Sequence, residues 1–291
     1  MMVDSDCCTS ESSTVDFAGH CAKRLTEEEK QKLAEHSNVL LTDFKKRQLE
    51  KEAAKNWDLF YKRNETRFFK DRHWSAVELR RLLPSFDFDA PFTLFEAGCG
   101  VGNFLFPFLE AFPAASAVAC DFSPRAIDFV KANESFDSRR CVAFQCDLTA
   151  DGLETSGAAA EWFQSARRVD ICTLIFVLSA VHPEKMSKVV LNVARLLSTG
   201  SVVFVRDYGL YDHAMIRFGK GRRIQSQFYA RQDGTRAFYF AEAQLRDLFE
   251  STGRFETLHC AYKSSTTVNR AENLEAQRVF VEGMFRFKSG D

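Results

Sequence analysis

The chain has 291 residues, of which 45% are hydrophobic, which suits one large α/β domain with an extension or two small domains. A formal net charge of −1 gives no sign of a polyanionic partner. Nine scattered cysteines without a Cys-x-x-Cys pair, and a polar N-terminus, indicate a reducing compartment and no structural zinc site. The longest apolar run, Ile171–Val181, is too short to span a bilayer, so a soluble, intracellular, metal-free protein is expected.

The first third of the chain predicts a tail followed by a helical extension. Residues Met1–Lys23 are small, polar and aperiodic, which predicts a disordered tail. Residues 24–91 contain apolar positions at intervals of three or four, which predicts amphipathic helices with a break near Ser37–Thr42 and a further helix near Ala76–Leu83. This extension is rich in basic and aromatic residues.

From Phe92 short apolar runs alternate with helical segments. The runs that predict strands are Thr93–Glu96, Ala115–Cys120, Val142–Gln145, Val169–Ile175 and Ser201–Arg206. The segments between them that predict helices are Asn103–Ala111, Pro124–Asn133 and Pro183–Leu197. The alternation predicts an α/β fold with a doubly wound, mostly parallel sheet over residues 92–287. The alanine-rich piece Asp151–Arg168 is expected to be a variable surface segment.

After Arg206 the pattern changes. Asp233-Gly234 lies between two aromatic arms in Tyr229–Tyr239, which predicts a hairpin within a basic insertion at about residues 215–240. A helix over Ala241–Ser251 and two closing antiparallel strands, Phe255–Tyr262 and Arg278–Phe287, complete a predicted sheet of seven strands.

The segment Phe95–Gly102 follows a predicted strand and opens a predicted helix, as a nucleotide-binding turn requires. Its glycines allow the backbone to approach a ligand closely, although such a loop alone fits NAD, FAD or S-adenosylmethionine (SAM), or a turn without a ligand. Asp121 ends the second strand, where a carboxylate can accept hydrogen bonds from ribose hydroxyls. Asp147 ends the third, where it can accept one from the adenine amine, with Leu148 against the ring.

Two details favour SAM over a dinucleotide. The loop has the spacing Gly-x-Gly-x-Gly, formed by Gly98, Gly100 and Gly102, and not Gly-x-Gly-x-x-Gly. Glu96 precedes the loop, where it would repel a pyrophosphate but would face the cationic groups of SAM. In order and type, these features resemble the class I SAM-dependent methyltransferases, with a Rossmann-like fold.

The residues after the fourth predicted strand constrain the methyl acceptor. They contain no Asn/Asp-Pro-Pro-aromatic motif, which disfavours transfer to an exocyclic amine, and no Pro-Cys motif, which disfavours transfer to pyrimidine C5. Six blocks resemble the tRNA 3-methylcytidine methyltransferases, the last two most closely the serine-tRNA branch of that family. The blocks are Asn56–Lys62, Phe68–Trp74, Glu96–Asn103, Cys120–Ile127, Leu174–Pro183 and Arg206–Ala214.

The resemblance implies methylation of N3 of cytidine 32 in the anticodon loop, with serine tRNAs as the expected substrates. It implies seryl-tRNA synthetase as a partner that helps to present the tRNA. Nothing in the sequence demands a dimer, so a monomer is expected, in the cytoplasm, with a nuclear share left open. The resemblance also implies that the extension, through Trp57 and Tyr61, helps to close the SAM pocket. The resemblance and the motif positions together assign SAM contacts to Trp57, Tyr61, Glu96, Gly98, Gly100, Gly102, Asp121, Phe122, Asp147, Leu148 and Ile175.

Two residues are candidates for the chemistry itself. Asp207 follows the fifth predicted strand, where an acid would stabilise a cationic methylated base, although it would equally cap a turn or pair with Arg206. Tyr208 is a candidate to stack on or orient the base, with core packing as the alternative. Cytosine N3 carries its own lone pair, so no strong general base is required.

The basic segments predict where RNA would bind. Between Lys45 and Arg81 there are twelve Lys/Arg against six Asp/Glu, interleaved with aromatic residues, a mixture that suits phosphate and ring contacts. The candidate phosphate contacts are Lys45, Lys46, Lys62, Arg63, Lys70 and Arg72 in the extension, with Arg217, Arg222 and Arg223 in the insertion. Ordinary solvated helix faces are the alternative reading of the same charges. At the level of function, a methyltransferase acting on a protein or small molecule and a non-catalytic SAM-binding scaffold remain open.

Overall fold

The computed structural model describes residues 23–37, 39–151, 168–269 and 274–289. Within these residues the chain forms the strands β1 (Phe92–Ala97), β2 (Ala115–Asp121), β3 (Cys141–Gln145), β4 (Val169–Ile175), β5 (Leu197–Tyr208), β6 (Arg223–Gln225), β7 (Phe228–Ala230), β8 (Arg236–Phe238), β9 (Phe255–Asn269) and β10 (Leu274–Phe287). The helices are α1 (Glu27–Ser37), α2 (Asp43–Lys51), α3 (Ala53–Asn64), α4 (Trp74–Leu82), α5 (Leu105–Ala111), α6 (Pro124–Ala132), α7 (Pro183–Ala194), α8 (His213–Ile216) and α9 (Glu242–Glu250).

Seven strands form one sheet in the order β3-β2-β1-β4-β5-β10-β9. The first five are parallel, whereas β10 pairs antiparallel with both β5 and β9. All six residues of β1 are buried, as expected for a central strand of a sheet covered on both faces. The strand order reverses beside β1, and open α/β sheets bind ligands at the carboxyl ends of the strands flanking such a point. The predicted α/β class with a mostly parallel seven-stranded sheet is therefore confirmed.

The helices that follow β2 and β4 begin at residues with strong local signals. Ser123 caps α6 by accepting a hydrogen bond from the Ala126 amide, and Pro124 occupies the first turn. His182 similarly accepts from the Glu184 amide ahead of Pro183 in α7. Both helices therefore start immediately beyond the carboxyl edge of the sheet, which fixes the loops there.

The helices before β1 form a layer over that same edge. The predicted break near Ser37–Thr42 is present, and Thr42 caps α2 through the Lys45 amide. A second break at Glu52, which carries no proline or glycine signal, separates α2 from α3. Helix α3 buries Phe60 and Tyr61 against Val101 and Ala126 of the main domain.

The predicted hairpin is the β7–β8 pair, but it belongs to a three-stranded sheet with β6 that the sequence did not indicate. Leu40, just before α2, bridges to Arg223 of β6. The small sheet thereby joins the extension, and its strands β7 and β8 are buried along their length.

Strand β5 extends beyond its prediction, to Tyr208, and β9 extends to Asn269. No helix in the described part of the chain is long and apolar enough to cross a membrane. The predictions for Met1–Lys23 and Asp151–Arg168 fall, apart from Lys23, Asp151 and Arg168, outside the described residues.

Candidate active site

A cavity opens at the carboxyl edge of β1, β2, β4 and β5. Three parts of the molecule line it. The sheet edge and its loops supply Glu96, Gly98, Asp121 and Asp147, and the extension supplies residues of α2 and α3. The small sheet supplies Arg236, from β8, and Arg231, from the β7–β8 turn. Segments far apart in sequence are thus combined around one space.

The glycine loop follows β1 as predicted. Gly98 has φ +77°, and a Cβ there would lie 2.5 Å from the Val177 side chain. Gly100 has φ +54°, and its Cβ would lie 2.9 Å from the Tyr61 hydroxyl. Both line the cavity, whereas Gly102 does not, and a Cβ there would lie 2.3 Å from the Phe106 side chain; its contact with the cofactor stays a prediction.

Glu96 reaches the cavity from within β1 and is 3% exposed. Burial raises the pKa of this carboxyl to about 8; the Arg72 guanidinium opposes that rise and Asp121 adds to it. Its Oε2 atom has no hydrogen-bond partner among the described residues. A cationic group in the cavity would supply the missing partner.

Asp121 and Asp147 follow at the ends of the next two strands, and both line the cavity. Asp121 accepts hydrogen bonds from the Gly100 amide and the Ser123 amide, each at 3.0 Å, while burial raises its pKa to about 6. Asp147 is exposed and bonds Thr149 through one oxygen. Phe122, Leu148 and Ile175 supply apolar surface around them, so this end has acceptors for hydroxyl and amine groups beside a slot for a ring.

The extension closes this end of the cavity with α3. The rings of Trp57 and Tyr61 lie 6.0 Å apart and both line the space. Asp58 fixes the helix by accepting hydrogen bonds from the Ser123 hydroxyl at 2.8 Å and from the Arg125 amide. Helix α3 is therefore tied to the start of α6, directly above Asp121.

The other end of the cavity is aromatic and cationic. The rings of Phe176 and Tyr208 lie 4.9 Å apart at the ends of β4 and β5. Arg72 approaches the Phe176 ring to 4.6 Å, and Arg231 approaches the Tyr208 ring to 5.4 Å. Phe176 has φ +59°, a strained backbone conformation for a bulky residue, of the kind that often occurs at functional sites. This end would offer a flat ring an aromatic surface to stack on.

Asp207 does not line the cavity, and its predicted role of stabilising a cationic methylated base stays a prediction. Because β5 continues to Tyr208, residue 207 lies within the strand and is fully buried. Its carboxylate accepts hydrogen bonds from the Ser179 amide at 2.9 Å and from the Tyr208 amide at 2.8 Å. Burial raises its pKa to about 6, partly offset by these bonds. Asp207 thus supports the 3-10 turn Leu178–Ala180, which itself lines the cavity.

The predicted RNA contacts separate into two groups. Lys45, Lys62, Arg63, Lys70 and Arg217 are exposed, while Lys46, Arg222 and Arg223 are partly buried. Arg72 differs from both groups, because it faces the cavity beside Phe176 and not the outer surface where a phosphate contact was expected. The other eight residues remain predicted phosphate contacts.

Known proteins resemble this chain over most of its length. Residues 95–203 match the family model described as "Methyltransferase domain". Human tRNA N(3)-cytidine methyltransferase METTL6 is 50% identical over 91% of this chain and 90% of its own length. The fission yeast tRNA N(3)-methylcytidine methyltransferase trm141 is 40% identical over 84% of this chain and 97% of its own length. The chain belongs to the tRNA N(3)-cytidine methyltransferase family.

Solved structures support the fold of this family member. A SAM-dependent methyltransferase from Anabaena variabilis superimposes with a TM-score of 0.58 at 14% identity, covering 81% of this chain and 95% of the other. SAM is the cofactor of a methyltransferase of this class. The residues present fit it, since Gly98 and Gly100 line the cavity in a backbone conformation that a Cβ would not allow, and Glu96 offers an unpartnered oxygen to the ammonium group.

For this tRNA N(3)-cytidine methyltransferase, sequence reasoning missed several cavity residues. Phe176 follows β4 directly at the carboxyl edge, a position that could have been recognised. Arg231, Arg236 and Glu50 gave no signal, because they reach the cavity only through long-range packing of the small sheet and α2.

Proposed function

We propose that this protein transfers the methyl group of SAM to N3 of a cytidine in tRNA. The observation that carries the proposal is the continuity of the cavity. One end has glycines and carboxylates suited to SAM, and the other has Phe176 and Tyr208 suited to a flat base. The names of its relatives supply the atom and the class of RNA.

The reaction does not require the protein to supply a general base. When bound, SAM supplies a methyl group on a cationic sulfur, and cytosine N3 supplies the electron pair. The protein must hold the base unstacked, with N3 in line with the methyl group, and must keep water out. Phe176 and Tyr208 would hold the ring, and the turn Leu178–Ala180, supported by Asp207, would fix its edge.

Glu96 and Arg72 shape the electrostatics between the two ends. Glu96, as a carboxylate, would bind the ammonium group of SAM and give a favourable field to the positive charge that moves onto the base. Arg72 lies over Phe176 and opposes the neutral form of Glu96. Because the Arg72 guanidinium would repel a cationic base at this end of the cavity, a base that is neutral before transfer is favoured.

The finer assignment extends this proposal. The site is position 32 of the anticodon loop, the substrates are serine tRNAs, and seryl-tRNA synthetase helps to present them. The protein acts as a monomer in the cytoplasm. The last two of the six motif blocks support the serine branch, and the exposed Lys45, Lys62, Arg63 and Lys70 offer phosphate contacts beside the cavity.

The test is methyl transfer from labelled SAM to total tRNA, with and without seryl-tRNA synthetase, followed by nucleoside analysis. We expect labelled 3-methylcytidine, with a yield that rises when the synthetase is added. A serine tRNA with uridine at position 32 should accept no label. Label in protein or small molecules would favour another acceptor, and SAM binding without any transfer would favour a scaffold.

A further inference from the structure

Three charged side chains from separate elements meet at the rim of the cavity, beyond Tyr208. Glu50 lies in the last turn of α2, Lys185 lies in the first turn of α7, and Arg236 begins β8. One carboxylate oxygen of Glu50 accepts from Lys185 Nζ at 2.5 Å, and the other accepts from Arg236 Nη1. Arg236 also donates to the carbonyl of Ala180, in the turn that Asp207 supports.

Glu50 is the acid that neutralises the positive charges of Lys185 and Arg236 at this rim. Burial would raise the pKa of Glu50, but the hydrogen bonds from Lys185 and Arg236 outweigh it and hold the pKa below its ordinary value. The other acids that line the cavity, Glu96, Asp121 and Asp147, lie at the cofactor end. Removal of the Glu50 carboxylate would leave a guanidinium that is only 5% exposed facing a lysine.

A carboxylate held by a guanidinium and an ammonium has the same donors around it as a bound phosphate. A base that enters the cavity from RNA brings its own phosphates to the rim. We propose that Glu50 occupies a phosphate-binding position formed by Arg236 and Lys185, and that a backbone phosphate next to the acceptor nucleotide displaces it. This inference rests on the proposed function, because it takes the acceptor to be RNA.

Helix α2 is able to release Glu50 without disturbing the cofactor end. Leu49 is the buried residue of α2, and the break at Glu52 separates this helix from α3. Helix α3 has its own attachments, from Asn56 to the Gly234 carbonyl at 3.0 Å and from Asp58 to Ser123 at 2.8 Å. Trp57 and Tyr61 would therefore stay over the cofactor while Glu50 leaves.

The exchange gives the enzyme a criterion for its substrate. An RNA that does not place a phosphate beside the flipped base leaves Glu50 in contact with Arg236 and Lys185. Only an RNA whose backbone enters far enough replaces the carboxylate and recovers the interactions that were broken. Glu50 would thus lower the affinity for RNAs that must displace it and leave unchanged the affinity for RNAs that bind outside the cavity.

The experiment measures binding of a fluorescently labelled serine-tRNA anticodon stem-loop to protein saturated with S-adenosylhomocysteine. Glu50→Gln keeps the size and hydrogen-bonding shape of the side chain but removes its charge. We expect this variant to bind the RNA about tenfold more tightly, as the loss of one charged contact implies. Glu134→Gln, an exposed residue after α6, makes the same change in net charge and should have little effect.

A double-mutant cycle decides whether the gain passes through Arg236. Arg236→Gln should weaken RNA binding, and Glu50→Gln should then give no gain in that background. Arg236→Lys, which keeps the charge, should retain part of the gain and serves if Arg236→Gln unfolds. Unchanged or weaker RNA binding by Glu50→Gln, or an equal gain without Arg236, would overturn the exchange.

Two further readouts separate this inference from others. Affinity for S-adenosylhomocysteine should stay within about twofold in Glu50→Gln; a larger loss together with no gain in RNA binding would show that Glu50 only holds α2 in place. If tighter RNA binding is found but no 3-methylcytidine forms, the exchange stands and the proposed acceptor fails. Formation of 3-methylcytidine with no tighter binding rejects the exchange alone.

Discussion

Among single side chains, Glu96 stands out because its burial disfavours the charged form of the carboxyl. One of its oxygens also lacks a hydrogen-bond partner among the described residues. Its pKa of about 8 in the free protein lies above the ordinary value of 4.5, so folding favours the protonated form. As pH rises from 4.5 to 8, the free energy of unfolding therefore falls, because this carboxyl ionises more readily in the unfolded chain than in the folded one. A bound ammonium group reverses the balance, because it stabilises the carboxylate.

The affinity for S-adenosylhomocysteine should consequently increase as pH rises from about 6.5 to about 8, by at most about tenfold per pH unit, and then level off. Glu96→Gln should bind about tenfold or more weakly at a pH of about 8 and show little pH dependence over this range. Isothermal titration calorimetry measures both, with Glu134→Gln as a matched exposed control. An unaltered pH profile in Glu96→Gln would remove this carboxyl from cofactor binding.

Asp207 acts through the turn that it supports, so its substitution should affect turnover more than cofactor binding. Asp207→Ala removes the acceptor for the Ser179 and Tyr208 amides and should lower kcat strongly while SAM affinity stays within a few-fold. Asp207→Asn keeps one acceptor oxygen and should recover part of the rate. Single-turnover methylation measures this, and wild-type turnover by Asp207→Ala would contradict the role.

The sequence did not reveal that Asp207 lies within strand β5. The apolar run ends near Arg206, so the next residue was expected beyond the edge of the sheet. Pairing with β10 continues through Phe280 to Tyr208 and carries Asp207 into the strand. Because neighbouring residues of a strand face opposite sides, Arg206 pairs with Glu282 while Asp207 meets the Ser179 turn. Such a pairing depends on a distant strand at the end of the chain, which no local pattern reveals.

Among the elements, α3 is the one whose position controls the cofactor end. Asp58 joins it to α6, and Asn56 joins it to the small sheet by donating a hydrogen bond to the Gly234 carbonyl. Gly234 itself has φ +83°. Gly234 cannot be replaced freely, since a Cβ there would lie 2.8 Å from the Asn56 side chain. Two independent contacts thus hold this helix over the cavity.

Asp58→Ala should loosen α3 and weaken binding of S-adenosylhomocysteine by about tenfold, since the Ser123 hydroxyl and Arg125 amide lose their acceptor. Hydrogen exchange should become faster over residues 53–64 and stay unchanged in β4. Asp128→Ala, an exposed substitution on α6, is the control for loss of an acid there. Equal exchange in both variants would mean that packing of Phe60 and Tyr61 alone holds the helix.

The elements themselves were predictable to different degrees. The first four strands match their predictions within one or two residues at either end, because buried parallel strands are short apolar runs between clear turn signals. The division of α2 from α3 at Glu52, and the third strand β6, were not predictable. Both depend on contacts between the extension and the small sheet, such as that of Leu40 with Arg223.

For the whole molecule, the distribution of charge matters more than its net value of −1. Lys62 and Arg63 are exposed at the end of α3, beside the wall of the cavity. Lys62→Glu with Arg63→Glu should weaken tRNA binding and reduce the slope of log affinity against log salt by roughly 1.5 to 2, as two lost phosphate contacts imply. Filter binding at several salt concentrations measures this, with cofactor affinity as the control. An unchanged slope would move the RNA surface elsewhere.

The division of the cavity between different parts of the chain also has an evolutionary consequence. The residues suited to SAM lie chiefly on the loops of the main sheet, whereas α2, the β7–β8 turn and the start of β8 join Phe176 and Tyr208 in lining the rest of the cavity. Substitutions in the small sheet can therefore alter which nucleic acid is admitted without changing the residues that hold SAM. Substrate range can diversify within such an architecture at little cost in cofactor affinity, provided that Gly234, which Asn56 of α3 contacts, is kept.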